Sequence, residues 1–262
     1  MQRDELDAML PLVVEAVTRG AEISRQAFTQ EIAVLEKAPG DWSSEADKQV
    51  EEFLRRELQK IAPSVGFVGE ETGTHGETQL TWIVDPIDGS ANYVRGIPHF
   101  ATVVSLVKNV SGTGPMPILA VTVDSCRQET FTTVKGGDTR LNGKPQRVSK
   151  HTGLKGLVAS VTPKPGSRFS SLQLERLTGL IQSFGGFRRS GAMALDLAWL
   201  SAGRIDAFMG LNLADWDVLA GGLHVEGAGG IAQQFKDPNV ADATWFLAAN
   251  QRENLEILQN EK

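Results

Sequence analysis

Apolar residues near the start of the chain recur at helical spacing. Leu6, Leu10, Val13, Val17 and Ala21 lie three or four positions apart, which predicts an amphipathic helix reaching to about Phe28. "KAPGDW", residues 37–42, breaks that pattern. Ser44 and Asp47 in "SEAD" have the spacing of a capping box, and Val50, Phe53, Leu54, Leu58 and Ile61 line one face of the helix it opens. The period then shortens. "VGFVGEE" and "LTWIVD" read as short buried strands that each deliver carboxylates at their C-terminal ends. "ATVVSLV", "ILAVTV" and "ETFTTV" are β-branched runs, and Asn142-Gly143 in "RLNGKPQ" predicts a tight hairpin.

From about residue 150 the texture changes. "GLVASV" reads as a strand, a helix follows near 169–183, and "GAMALDLAWLSAG" reads as a second helix. "IDAFM" (strand), "WDVLAGGLHVEGAG" (helix) and "WFLAAN" (strand) complete the alternation, while "KPGSRFSS" at 164–171 reads as an exposed loop. Strands that cluster first and alternate with helices later predict two halves. Residues 1–150 would form an antiparallel-sheet half and 151–262 an α/β half, giving a mixed α+β and α/β chain.

Composition narrows the function classes. A chain of 262 residues, 41% hydrophobic and 22% charged, is globular and long enough for a substantial core. Its 26 Lys and Arg against 32 Asp and Glu give a net charge of −6, and the basic residues are scattered, so no footprint for nucleic acid appears. One cysteine, Cys126, in a strand-like run, excludes an internal disulfide framework and suits a reducing cytoplasm. The acidic start "MQRDELDAML" is unlike a signal peptide, and no apolar run approaches the roughly 20 residues of a membrane helix. A cytoplasmic chain without a membrane partner is expected.

The candidate chemistry lies in the carboxylates. "TWIVDPIDGSAN", residues 81–92, sets Asp85 and Asp88 three apart beside a strand, with Pro86 and Gly89 among them. Taken singly, each acid has a plain explanation. Asp47 and Asp217 suit helix caps, Glu70 and Glu71 a solvated pair, and Asp85 and Asp88 a turn. Together they imply a hard divalent cation, which prefers carboxylate and carbonyl oxygens. Zinc spacing is missing, and an EF-hand beginning at Asp85 would place Ile87 and Gly89 where it needs oxygen ligands. If Gly89, Ser90 and Ala91 open a helix, their N–H groups would form an anion site beside the metals, and that combination suggests phosphate.

"GEE" at 69–71, "WIVDPIDGSANY" at 82–93 and "WDVLAGG" at 216–222 resemble the inositol monophosphatase family. "KAPGDWSSEADKQVE" and "NGKPQRVS" extend the likeness over nearly the whole chain. The resemblance implies a layered α-β-α-β-α sandwich of the carbohydrate phosphatase type, a homodimer, and Mg²⁺-dependent, Li⁺-sensitive hydrolysis of a small phosphorylated alcohol. It implies that Glu70, Asp85 and the carbonyl of Ile87 hold one Mg²⁺, that Asp85, Asp88 and Asp217 hold a second, and that Glu70 helps with a third. Ser90 stands where the family usually has threonine; its hydroxyl, linked to Asp47, would orient the attacking water, and the Gly89 and Ser90 amides would share the phosphate charge.

The alcohol is less defined. An acidic residue seven positions before the second-metal aspartate reads inositol hydroxyls in family members, and here that position is Gly210. The family's Gly-Thr-Ala substrate segment is Gly191-Ala192-Met193, so two polar contacts are gone. Ala91-Asn92-Tyr93 in place of Lys-Glu-Phe disfavours 3′-phosphoadenosine 5′-phosphate. Histidinol phosphate, sugar phosphates and fructose 1,6-bisphosphate stay open as alternatives, beside a regulatory or scaffold role with incidental turnover.

Overall fold

The structure, a computed structural model, describes every residue except 29, 31–32, 39–40, 77, 111, 113, 165–168, 238–239, 241–242 and 261–262. Helix α1 (Arg3–Ala27) leads through a hairpin of β1 (Val34–Ala38) and β2 (Asp41–Ser44) into helix α2 (Glu45–Ile61). Strands β3 (Gly66–Gly69), β4 (Gly73–His75) and β5 (Leu80–Asp88) follow, then the single helical turn α3 (Ser90–Tyr93). A meander comes next: β6 (Ala101–Val110), β7 (Gly114–Asp124), β8 (Glu129–Val134), β9 (Arg140–Leu141) and β10 (Lys144–Pro145). The rest alternates: β11 (Val158–Pro163), α4 (Ser171–Ser183), β12 (Gly186–Arg188), α5 (Met193–Ser201) and β13 (Ala207–Leu211). It ends with α6 (Asp215–Gly227), β14 (Ile231–Lys236), β15 (Thr244–Ala249) and α7 (Arg252–Asn260).

Two main sheets result. One has eight strands in the order β10-β9-β8-β7-β6-β5-β3-β4, and the other five in the order β12-β11-β13-β15-β14. The first is antiparallel apart from β3, which runs parallel to β5. In the second, β11 is parallel to both β12 and β13, while β15 is antiparallel to its neighbours.

Packing stacks these into five layers. Leu6, Val13 and Val17 of α1 and Val50, Leu54 and Leu58 of α2 bury against Val104, Leu106, Leu119 and Val121 of the first sheet. That sheet's other face offers Ala101, Val103 and Ala120 to Ala194 and Leu195 of α5 and Ala220 and Leu223 of α6. The same two helices press Leu197 and Val218 onto Phe208 and Phe246 of the second sheet. Its far side is closed by Leu177 and Leu180 of α4 and Leu255 and Leu258 of α7. The architecture is the expected α-β-α-β-α sandwich. Helices on both faces explain why β6 as far as Val107 and the second half of β7 are unbroken buried runs, each large apolar side chain contributing about 1.5–3 kcal/mol.

Several elements escaped the pattern. "KAPGDW", expected as a break, spans parts of β1 and β2, and its Pro39 and Gly40 lie outside the described residues. Strand β4 is exposed throughout, so no alternation marks it. Strand β14 exists because it pairs with β15 from Ile231↔Ala249 to Lys236↔Thr244, a tertiary cause that "IAQQFK" does not announce. Of the loop expected at 164–171, residues 165–168 lie outside the described set. Cys126 sits in the turn between β7 and β8 rather than in a strand; it packs against the small core of Ala46, Ile87, Tyr93 and Phe100, and burial raises its thiol pKa.

Candidate active site

In a regular strand, side chains three apart point to opposite faces. Asp85 and Asp88 escape that rule because β5 is bulged against β6. Asp85 lies opposite Val103 and Asp88 opposite Ala101, so β5 carries one residue more than its partner between those pairs. Ala101 and Val103 both pack with α5 and α6. Both aspartates therefore face the layer between the sheets. The bulge contains Pro86, which has no N–H to lose from the ladder.

Four further segments bring residues to the same place. Glu70 follows β3, and its turn is fixed from beneath by Glu51 of α2. The wholly buried Glu51 carboxylate accepts the N–H groups of Glu71 and Thr72, both at 2.8 Å. Lys37 of β1 reaches Glu71 at 2.5 Å and Glu70 at 3.4 Å. At the start of α2, Asp47 uses Oδ2 to accept the Ser44 N–H at 2.7 Å, leaving Oδ1 at 3.4 Å from the Ser90 hydroxyl. Ser90 also lies 3.0 Å from the Ile87 carbonyl oxygen. Asp217 likewise uses one oxygen to accept the Ala214 N–H at 2.8 Å at the start of α6.

A cavity of about 370 Å³ opens where these segments meet, and Glu70, Asp85, Ile87, Gly89, Ser90, Gly191 and Asp217 all line it. Asp47, Asp88 and Ala192 do not. Asp88 is buried behind the wall, accepting the N–H groups of Met193 at 2.7 Å and Leu195 at 2.9 Å at the start of α5. Gly89 has φ +97°, and a Cβ there would lie 3.0 Å from the Ala192 Cβ and from the His99 carbonyl oxygen. Glycine is required at that turn.

Gly210, expected to face the alcohol part of the substrate, is buried within β13 and is not among the residues that line the cavity. A Cβ on it would lie 2.3 Å from Leu213 Cδ1 and 3.0 Å from Phe208, so the space a side chain would take there is occupied by Leu213.

The electrostatics are those of crowded acids. Burial first raises Glu70 to about 8; Lys37 opposes the rise, while Asp217, Glu71 and Asp47 add to it. Burial, then Glu70 and Asp88, hold Asp85 well above the usual carboxylate range. Asp88 is raised by burial against the pull of the Leu195 N–H, and Asp47 reaches about 6 because burial outweighs its two bonds from Ser44. Among the described residues no three His, Cys, Asp or Glu side chains form a group arranged to hold a metal ion. The donors are nevertheless all oxygen, and Asp85 Oδ1 is buried with no hydrogen-bond partner. A buried orphan oxygen amid like charges fits a hard divalent cation, which would reverse every one of these shifts.

Sequence reasoning missed Glu51, Lys37 and Asn92. Glu51 had a signal: Asp47, Val50, Glu51, Leu54 and Leu58 share one helical face, and acids on an apolar face need a partner. Asn92 donates to the carbonyl oxygens of Ser190 and His99 at 2.8 Å each, tying the Gly191 segment to α3, and nothing local foretells that.

Oxygen donors and a glycine turn meet between the two layered sheets. The chain belongs to the inositol monophosphatase family, whose sequence profile matches residues 5–261. It is 37% identical over 205 residues to the Nus factor SuhB of Xylella fastidiosa, spanning 78% of this chain and 72% of that one. It is 36% identical over 230 residues to the inositol-1-monophosphatase of Rhizobium meliloti, spanning 85% and 84%. The crystal structure of the extragenic suppressor protein suhB from Bartonella henselae superposes with a TM-score of 0.86 at 29% identity, covering 97% and 98% of the chains.

Proposed function

We propose that this chain hydrolyses a small phosphorylated alcohol, with two to three Mg²⁺ ions as cofactor, to the alcohol and phosphate. Glu70, Asp85 and the Ile87 carbonyl would hold one ion, Asp85, Asp88 and Asp217 a second, and Glu70 would share a third. When bound, the ions supply Lewis acidity toward water and the phosphoryl oxygens. The chain supplies the rest. The Gly89 and Ser90 amides bind phosphate oxygens at a turn only glycine permits. The Ser90 hydroxyl, which donates to the Ile87 carbonyl oxygen at 3.0 Å and would turn toward Asp47 Oδ1, 3.4 Å away, once that carbonyl holds an ion, presents its oxygen to accept a proton of the attacking water and so aim it. Glu51 keeps the Glu70 turn in register, so that carboxylate does not have to be reordered on each turnover.

The observation that carries this reading is the cavity itself, onto which Glu70, Asp85, Asp217 and the Gly89–Ser90 turn converge with one buried Asp85 oxygen unsatisfied. A screen of phosphate release from inositol, sugar, histidinol and nucleotide phosphates tests it, each with Mg²⁺ and with excess chelator. Undiminished turnover in chelator refutes the metal role. Inositol and related polyol or sugar phosphates are the leading substrates, with histidinol phosphate and fructose 1,6-bisphosphate as alternatives. The proposal includes a cytoplasmic homodimer inhibited by Li⁺, checked by sedimentation and by titration with Li⁺. The boundary between its halves is proposed near residue 150, in the stretch that separates β10 from β11.

A second reading has its own support. The relatives from Xylella fastidiosa and, at 35% identity, Pseudomonas aeruginosa are both named Nus factor SuhB. A role that does not need turnover predicts that an Asp85→Asn chain restores growth to a strain lacking this protein. Failure of that chain, with rescue by the wild type, favours the enzyme.

A further inference from the structure

The inner face of the first sheet carries a second cavity. Asp85 faces the layer between the sheets, and alternation along β5 turns Ile83 and Thr81 the same way. Val68 pairs with Ile83 and Thr74 with Val68, while Asn109 lies two residues beyond Val107, the partner of Thr81. Helices α5 and α6 cover this face at Ala101, Val103 and Ala120. Farther along it, toward the start of β5, a cavity of about 700 Å³ opens beside the first turn of α6, where Asp215 and Trp216 complete its lining. Thr81 precedes Asp85 by four residues of strand, roughly 13 Å, so this cavity neighbours the central one, and Trp216 lines both.

Its polar groups are acceptors held in place. Asn109 donates both amide hydrogens, to the Thr78 carbonyl oxygen at 2.8 Å and to the Thr81 hydroxyl at 2.9 Å. That fixes the side chain and leaves its Oδ1 without a partner among the described residues. Asp215, half-buried at the first position of α6, has no hydrogen bond or ion pair with any described residue. The half-buried Trp216 makes neither a hydrogen bond nor a ring contact with any described residue. No lysine, arginine or histidine stands among the described residues of the lining, so an anion finds no counter-charge there. One carboxylate among neutral amides and threonine hydroxyls calls for hydroxyl donors. Val68, Ile83 and the Trp216 indole call for an apolar face. A sugar ring has both, with hydroxyls around its rim and C–H groups on its faces.

We propose that this second cavity binds an uncharged sugar or cyclitol ring. Asp215 accepts two neighbouring hydroxyls, Asn109 Oδ1 accepts a third, and the Trp216 indole covers a face of the ring. The site goes beyond the phosphatase reading and does not depend on it, because the ring is a ligand beside the reacting groups and not the alcohol that is released.

Calorimetry on the full chain tests this with methyl α-D-glucopyranoside and myo-inositol as neutral probes and spermidine as the cationic one. Each is titrated with and without Mg²⁺ and saturating inorganic phosphate. The wild type should bind at least one neutral ring with a Kd on the order of 1 mM, whether or not phosphate is present. Binding should change the indole fluorescence, and Trp216→Phe should remove that change. Asp215→Asn should weaken binding by about 10- to 100-fold, the worth of a charge-assisted hydrogen bond, and Asn109→Ala by about 3- to 10-fold. Thr74 is exposed, so Thr74→Trp fills the cavity without breaking the bonds of Asn109. It should abolish ring binding while keeping the wild-type melting temperature. The site is overturned if neither ring binds, if spermidine alone binds, or if Asp215→Asn and Thr74→Trp leave Kd unchanged. Ring binding that phosphate abolishes would place the ring in the central cavity and overturn it equally.

Discussion

Without a bound cation, Asp85 works against the fold. Its side chain is 2% exposed, one oxygen has no partner, and Glu70 and Asp88 add repulsion to the cost of burial. Asp85→Asn keeps the shape and removes the charge. An unsatisfied buried charged group costs about 1–3 kcal/mol or more, so the variant should gain about that much in chelator. For a chain of this size, 1 kcal/mol moves Tm by about 2–4 °C, which puts the metal-free variant several degrees above the wild type. The sign follows from linkage. Folded Asp85 holds its proton more tightly than the unfolded chain does, so the wild type loses stability as pH rises above about 4, and the gap opens toward neutral pH. Mg²⁺ should invert the order, because at 100 times Kd it stabilises the wild type by about 2.7 kcal/mol and the variant far less. Turnover should fall by at least ~10³-fold. Thermal unfolding in chelator and in Mg²⁺, beside phosphate release, measures all three. The reasoning is refuted by a variant that is less stable in chelator, or one that retains a tenth of the activity.

Three other outcomes are expected. Glu51→Gln replaces an acceptor facing two N–H donors by an amide, so it should cost about 2–4 kcal/mol in urea unfolding and lower kcat through the displaced Glu70; an unchanged midpoint would refute the role given to Glu51. Gly210→Glu should lower Tm and depress every substrate alike, since its Cβ meets Leu213 at 2.3 Å; a stable variant with altered substrate preference would return Gly210 to the pocket. Burial holds His224 at about 3, below its unfolded value near 6.5, so its contribution is fully present above pH 6.5 and lost as pH falls. The stability difference between wild type and His224→Gln should therefore shift by about 2 kcal/mol between pH 6.5 and 5, and a constant difference would show that His224 does not titrate this way.

Much of the site was legible, and the plain explanation of its acids leaves room for the proposed one. Asp47 and Asp217 do cap helices, each with one oxygen, while Asp47 turns the other toward Ser90 and Asp217 lines the cavity. A carboxylate has lone pairs enough for both. That is why cap spacing and site chemistry could be read from the same residues.

Local pattern by itself determined the long helices, the buried strands β5 to β8, the Asn142-Gly143 turn and the types of donor in the site, because each depends on neighbours in sequence: apolar period, β-branching, positive φ and charge. Tertiary structure decided the rest. Spacing alone puts Asp85 and Asp88 on opposite faces, and only the extra residue of β5 against β6 turns both inward. Gly210 stood at the right offset for a substrate contact, but the filling of its side-chain space by Leu213 was invisible until β13 had a register and a loop packed on it. Strands β4 and β14 are made by their partners rather than by their own residues. The lining of the cavity also joins β11 and β12 to β5 across two sheets, and no local rule connects positions that far apart in the chain.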